Sequence, residues 1–218
     1  MTSRESARPL VVIGAGGHAK VVIEAIRAAA VGEVVGLIDP APAAPRLLGV
    51  PVLGGDEMLT RLRSEGIAAA VVALGNNALR ERIGHLLREL EFAVLCVVHP
   101  AALISPSASL GDGAVIMAAA VVGTETVIGR LAIVNTGAVV DHDNRIGIAA
   151  HVGPACGLAG NVHVGHRAQI GVGSAVRPGI RIGADAIVGA GAAVVADVPD
   201  GGLVGGVPAR ALGRPVGA

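Results

Sequence analysis

From residue 104 onward, every sixth residue of the chain is aliphatic. The series is Ile104, Leu110, Ile116, Val122, Ile128, Val134, Val140, Ile146, Val152, Leu158, Val164, Ile170, Val176, Ile182, Val188 and Val194, sixteen positions with no insertion. The residue after the aliphatic is Gly in nine of the sixteen hexads, and the residue two before it is Ala, Ser, Thr or Cys in thirteen. A period of six fits neither an α-helix nor a simple amphipathic strand. It fits a coil with flat sides, one hexad per side, with the aliphatic side chain on the axis and Gly permitting the corner. Three sides make a coil of about 18 residues, and stacked coils pair as parallel strands about 4.8 Å apart. The span 104–194 then makes about five coils. A Gly- and Val-rich β-sandwich is the competing architecture, and it does not require so strict a period.

Composition follows from this architecture. The 218 residues include 33 Gly and one Phe, with no Trp or Tyr. A three-sided core is too narrow for rings, and the lone Phe92 precedes the first hexad. Handedness does not follow from the period, since parallel crossovers are normally right-handed.

Residues 10–99 read differently. Leu10–Ile13 is a short apolar run followed by Gly14-Ala15-Gly16-Gly17-His18. Ala19–Ala30 reads as a helix, Val34–Ile38 as a strand ending at Asp39, and Val52–Leu53 as a short third strand. Asp56–Glu65 reads as a helix with Asp56 as N-cap. Ala68–Leu74 reads as a strand, Ala78–Glu91 as a helix and Ala93–Val98 as a last strand. Alternating strands and helices imply a small parallel, Rossmann-like α/β sheet. The expected organisation is an α/β ligand-binding domain over 1–100 and an all-β coil domain with its tail over 101–218.

Ligands of such sheets bind beyond the carboxyl ends of the strands. Gly14–His18 lies at one such end and Gly75–Asn77 at another. The first turn can set backbone N–H groups and a helix N-terminus against a phosphate. Asp39 stands about twenty residues on, where an acid often meets a ribose hydroxyl. The pattern is G-x-G-G-H and not the full dinucleotide fingerprint; taken alone it reads more readily as a tight turn than as a phosphate site, and NAD is disfavoured.

Other classes are excluded by charge and composition. Seventeen basic residues balance seventeen acidic ones, which offers no field for nucleic acid or anionic membrane, and no ring set is present for base stacking. No apolar run reaches the ~18 residues of a membrane span. The polar segment Met1–Pro9 shows no signal-peptide pattern, so a cytoplasmic protein is expected. Cys96 and Cys156 form no CxxC, and Cys156 occupies a small-residue slot of the repeat. His142, His151, His163 and His166 are not separated by multiples of 18, so no metal cluster within one subunit is expected.

The chemistry candidate is Asp141-His142-Asp143. A carboxylate on one imidazole nitrogen fixes the tautomer and raises the basicity of the other, the equipment of a general base. A solvated turn is the alternative. No nucleophile dyad is evident.

These motifs together carry a resemblance. A G-x-G-G-H domain, hexapeptide coils bearing N-T-x3-V-x-H (Asn135–His142) and the terminal Gly206-Val207-Pro208-Ala209 resemble bacterial hexapeptide-repeat sugar acetyltransferases. The likeness runs from about residue 10 to 212. That family includes sialic acid O-acetyltransferase-like proteins and N-acetyltransferases of nucleotide-linked 4-amino-6-deoxy sugars, and Asn135–Asp143 looks especially like the latter. The resemblance implies a left-handed β-helix, a homotrimer with acetyl-CoA between neighbouring helices, and acetylation of a C4 amine for surface polysaccharide or O-antigen biosynthesis. It implies His142 as base and Asp143 as its polarising partner. Gly16, Gly17, His18, Asp39, Asn135 and Asp141 would meet the sugar nucleotide. His151, Val172, Ala190, Pro208 and Arg210 would line the CoA groove, with no metal. The rival within the fold is O-acetylation of a sugar hydroxyl. A γ-type carbonic anhydrase would need metal-ligand histidines, and a non-catalytic sugar-nucleotide binder would not bind CoA.

Overall fold

A computed structural model describes residues 8–212. All but the end of the polar segment at Met1–Pro9, and the tail beyond residue 212, lie outside them. The chain divides into two compact units, Met1–Pro100 and Ala101–Ala218.

The first unit is a six-stranded sheet in the order β3-β4-β2-β1-β5-β6. Its elements are β1 (Pro9–Ile13), α1 (Gly17–Ala28), β2 (Glu33–Ile38), β3 (Arg46–Leu47), β4 (Val50–Gly54), α2 (Met58–Ser64), β5 (Ala69–Val72), α3 (Asn77–Glu89) and β6 (Ala93–Val94). All pairings are parallel except β3 with β4. β1 is central, and Leu10, Val11 and Val12 are fully buried, as are Val22, Ile23 and Ile26 of α1. That near-continuous apolar run is what a strand covered on both faces requires.

The structure corrects several expectations here. The hairpin of β3 was not expected; two-residue strands leave no periodic signature. The helix expected from Asp56 begins at Met58, and Asp56 is not its cap: Glu57 holds the N-cap position without a side-chain bond to the helix. Glu57 Oε1 instead accepts from Gly55 N at 2.8 Å. The strand expected over Ala93–Val98 is broken into Ala93–Val94 and Val97–Val98.

The second unit is a left-handed parallel β-helix. Sixteen two-residue strands run from Leu103–Ile104 to Ala193–Val194. From Leu103–Ile104 through Ala175–Val176 each pairs with the strand 18 residues on, as in Val115 with Ile133 and Ile116 with Val134. From Ile116 through Val194 every aliphatic of the six-residue series is at least 97% buried. Beyond the hexads, Leu203–Gly205 adds a further rung and Arg210–Ala211 folds back on it antiparallel.

The glycine after each aliphatic has a different purpose from the one expected. Left-handed backbone occurs two residues later, at six-residue steps from Gly113 to Gly191. Nine of those fourteen positions are not glycine, among them Leu131, Asp143 and Arg167. Hydrogen bonds from the preceding coil hold them there, as when Asp143 N donates to Thr124 O at 2.9 Å. The glycine is required instead by close approach. A Cβ at Gly123 would stand 2.7 Å from the carbonyl carbon of Asp141 and 2.9 Å from the nitrogen of His142.

Candidate active site

The corner Asp141–Asn144 joins two faces of the β-helix. His142 Nδ1 lies 2.6 Å from Asp143 Oδ2, and the ring nitrogen donates to the carboxylate. Nε2 then keeps its lone pair. This bond, foremost, raises the His142 pKa above the ordinary 6.5, with the charges of Asp141 and Asp143 adding to it. Asp141 is used differently: its Oδ1 accepts the backbone N–H of His142 at 2.8 Å. The carboxylate that precedes the histidine therefore shapes the turn, while the one that follows tunes the ring.

The imidazole rests over Gly160, its neighbour one coil on. A Cβ there would overlap Cε1 and Nε2 and stand 3.1 Å from Nδ1. The absence of a side chain at 160 is thus what lets the ring lie where it does.

A buried polar girder supports this corner. Asn144 is fully buried. Its Nδ2 donates to Asp141 O at 2.7 Å, Ala159 O at 3.0 Å and His142 O at 3.2 Å, while Oδ1 accepts from Val162 N at 3.0 Å. Thr126, one coil before, donates through Oγ1 to Asp141 O at 2.6 Å. Sequence reasoning passed over Asn144. Its signal was there: it is the polar exception in the small-residue slot of the repeat.

A second cluster pairs two residues assigned above to different ligands. Asn135 Nδ2 donates to His151 Nε2 at 3.0 Å, which fixes His151 with its proton on Nδ1. Asn135 Oδ1 accepts from Thr136 N at 2.8 Å. Val172 and Ala190 occupy equivalent corner positions one coil apart and both are exposed. Val172 O accepts from Gly191 N at 2.8 Å. The C-terminal segment docks nearby: Ala193 N donates to Gly206 O at 3.0 Å, and Ala209 N to Ala193 O at 2.8 Å. Val207–Pro208 is a cis peptide. Arg210 folds its guanidinium onto Ala209 O at 2.8 Å and lines a recess of about 510 Å³ with Val195 and Asp197. Cys156 is buried, its thiol pushed up in pKa by burial and bonded to Gly171 O at 3.0 Å; it is core, not nucleophile. Among the described residues no three His, Cys, Asp or Glu side chains converge to hold a metal.

In the first unit the two strand-end turns differ. Asn76 caps α3, accepting from Leu79 N at 2.9 Å. Gly16 caps α1 with no side-chain acceptor. The first turn of α1 thus has no side-chain cap, an arrangement that suits an anion. Gly16 and Gly17 are exposed, and beyond the local backbone no atom lies within 4 Å of a Cβ built on either. Asp39 pins this loop: its Oδ2 accepts from Ala15 N at 2.8 Å and its Oδ1 from Ala41 N at 3.0 Å. It also lines a cavity of about 210 Å³ with Gly14, Pro40, Asp56 and Arg82.

His18 follows the turn, and its pKa is lowered to about 4, first by burial and then by Arg80. At neutral pH it is therefore a neutral imidazole. Arg80 is fully buried and its pKa falls to about 10 through burial, so it stays charged at neutral pH. Its Nη1 donates to Leu74 O and its Nη2 to Asn77 Oδ1, both at 2.8 Å. Sequence reasoning missed Arg80, because it lies on the apolar stripe of α3 with Ile83 and Leu87.

Residues 9–87 match the PglD N-terminal domain. A UDP-N-acetylbacillosamine N-acetyltransferase from Bacillus subtilis is 36% identical over 108 residues, 49% of this chain and 50% of that protein. The match thus spans about half the length of that curated relative. Much fuller likenesses exist among solved structures. PerB from Caulobacter crescentus, in complex with CoA and GDP-perosamine, is 50% identical over 94% of this chain and 97% of its own, with a TM-score of 0.90. Two structures of GDP-perosamine N-acetyltransferase from the same organism carry Ala or Asn in place of one histidine and hold the same two ligands. The acetyltransferase domain of PglB from Neisseria gonorrhoeae, in complex with acetyl coenzyme A, is 40% identical over 94% of this chain and all of that one, with a TM-score of 0.89.

Proposed function

Because this chain belongs to the hexapeptide-repeat family of nucleotide-sugar N-acetyltransferases, we propose that it acetylates the C4 amine of a GDP-linked 4-amino-6-deoxy sugar of the perosamine type, using acetyl-CoA. The observation that carries this reading is the half-identical likeness, over nearly the whole chain, to an enzyme holding CoA and GDP-perosamine.

In the mechanism the neutral amine attacks the thioester carbonyl. The N–C bond forms, and backbone N–H groups stabilise the oxyanion. His142 Nε2 takes the proton from the adding nitrogen. The C–S bond then breaks and the imidazolium returns that proton to the thiolate, releasing CoA. Asp143 holds the ring in the basic tautomer and stabilises the imidazolium. The histidine exchanged in two of the Caulobacter structures supports a histidine at the centre of this chemistry. Gly16, Gly17 and the open N-terminus of α1 bind the sugar-nucleotide phosphates, with Asp39 and Arg80 shaping the loops around them. Asn135 orients the sugar by way of its bond to His151. His151, Val172, Ala190, Pro208 and Arg210 form the CoA groove.

The active assembly is a homotrimer in the cytoplasm, serving O-antigen or other surface polysaccharide synthesis. The outward residues Leu103 and Val139, 69% and 43% exposed on one face of the β-helix, support association through that face. No described helix is long and apolar enough to cross a membrane. Two measurements test the reading. Light scattering should give three times the 21.4 kDa chain mass. An acetyl-transfer screen over GDP-, UDP- and dTDP-linked 4-amino sugars, with 4-hydroxy counterparts, should release thiol fastest with the GDP-linked amine. Equal turnover of the hydroxy sugars would replace N- by O-acetylation.

A further inference from the structure

Along the β-helix, the residue just before each inward aliphatic is the outward member of its strand. Of these sixteen positions, from Leu103 to Ala193, two are arginine: Arg145 and Arg181. Both lie on one face, two coils apart, with His163 between them. The register sets Arg145 opposite His163 and His163 opposite Arg181. Adjacent rungs are about 4.8 Å apart, so the two arginines stand about 9.6 Å apart on one face and repel one another across His163.

The same unit avoids this cost elsewhere. Arg167 has Asp185 one coil on, and two parallel bonds of 2.7 Å join them. Neither Arg145 nor Arg181 has an ion pair with a carboxylate among the described residues. The two acids at the far end of the face are committed to backbone: Asp197 Oδ1 accepts from Arg181 N and Asp200 Oδ1 from Ala184 N, each at 2.8 Å. Burial, then Arg181 and Arg145, push the His163 pKa below its ordinary value.

The three side chains border a recess of about 450 Å³, which Val127, His166 and Asp200 also line. Its floor is bare backbone at Gly147, Gly165 and Gly183. We propose that Arg145, His163 and Arg181 form a binding site for a diphosphate group. Each guanidinium presents a planar fork that matches one phosphate in a bidentate way. The two forks originate about 9.6 Å apart, two strand spacings, close enough for the long side chains to converge and for each to take one phosphate of a linked pair. A bound anion neutralises the two guanidinium charges, which have no ion pair with a carboxylate among the described residues. This site stands apart from the assignment of His142 and does not depend on acetyl transfer. Acetyl-CoA and a sugar nucleotide both carry a diphosphate, and competition separates them.

The test is a titration of the full chain with inorganic pyrophosphate and, separately, inorganic phosphate, followed at the His163 Cε1–H by NMR and assigned with His163→Gln. Pyrophosphate should raise the His163 titration midpoint and bind at least about tenfold tighter than phosphate. Arg145→Gln and Arg181→Gln should each weaken binding about tenfold or more. Without ligand they should unfold at or above the wild-type temperature, because they relieve repulsion; Arg145→Lys should keep the charge and lose the preference for pyrophosphate. Displacement by CoA identifies the co-substrate as the diphosphate carrier; displacement by GDP identifies the sugar nucleotide and moves its phosphates from the α1 turn to this face. Three results overturn the site: no His163 response up to about 10 mM pyrophosphate, an equal response to phosphate, or undiminished binding by the double Gln variant.

Discussion

The two units of this chain place functional groups by different rules. In the β-helix, a residue's neighbours are fixed by register, 18 positions before and after it. His142 meets Gly160, Arg145 meets His163, and Arg167 meets Asp185, each by the same offset. In the sheet unit, neighbours are set by tertiary packing. His18 on α1 feels Arg80 on α3, and Ala15 is tied to Asp39 at the end of β2. The lesson is that a periodic scaffold makes side-chain environments computable from the sequence, while a packed sheet hides them until it folds.

The contrast can be broken at its strongest point first. His142→Ala should lower kcat by roughly 10²–10⁴, the usual range for loss of a general base, in a thiol-release assay. Wild-type turnover would remove His142 from the chemistry. The next effect lies in the sheet unit. Unfolded, His18 takes up a proton near pH 6.5; folded, it does so only near pH 4. The unfolded state therefore binds more protons between those values, and stability falls as pH drops through them, by as much as about 3 kcal/mol. Denaturant titrations at pH 7 and 4.5 should show this fall, and His18→Gln should flatten it.

A third test uses the register itself. Gly160→Ala should displace the His142 ring and cost roughly 10–50-fold in kcat, with the circular dichroism spectrum and CoA affinity unchanged. Unaltered turnover would mean that the ring position seen over Gly160 is not the reactive one. The smallest effect belongs to Asp143→Asn, with a loss of less than about tenfold. A base must be unprotonated to act, so activity falls as pH drops through the His142 pKa. Asp143 holds that pKa up, and its loss should move the acid limb of the pH–rate profile downward.

How much of this was legible in the sequence follows the same divide. All sixteen hexads became strands, because one residue type at one spacing is sufficient to define a coil. The purpose of the glycines was misread, since close approach and left-handed backbone leave the same letter. Asn144 was visible only as a break in the small-residue slot. Arg80 was not visible at all: on a helix stripe it occupies a core position, and only its bonds to Leu74 O and Asn77 reveal why a charge is tolerated there. Asp39 was placed correctly at a strand end, but its carboxylate holds the loop through Ala15 and Ala41 as well as lining the cavity.

The uniform offset of the coils has one more consequence. The β-helix is a screw, and each functional residue has an address made of a face and a storey. Excising one full coil shortens the screw by a single storey and returns every later residue to its own face. Excising one hexad turns everything beyond it by a third of a revolution, so that Arg181 would leave the face of Arg145. Natural length variation in such a scaffold is therefore quantised, and a ligand that spans several storeys acts as a ruler for it.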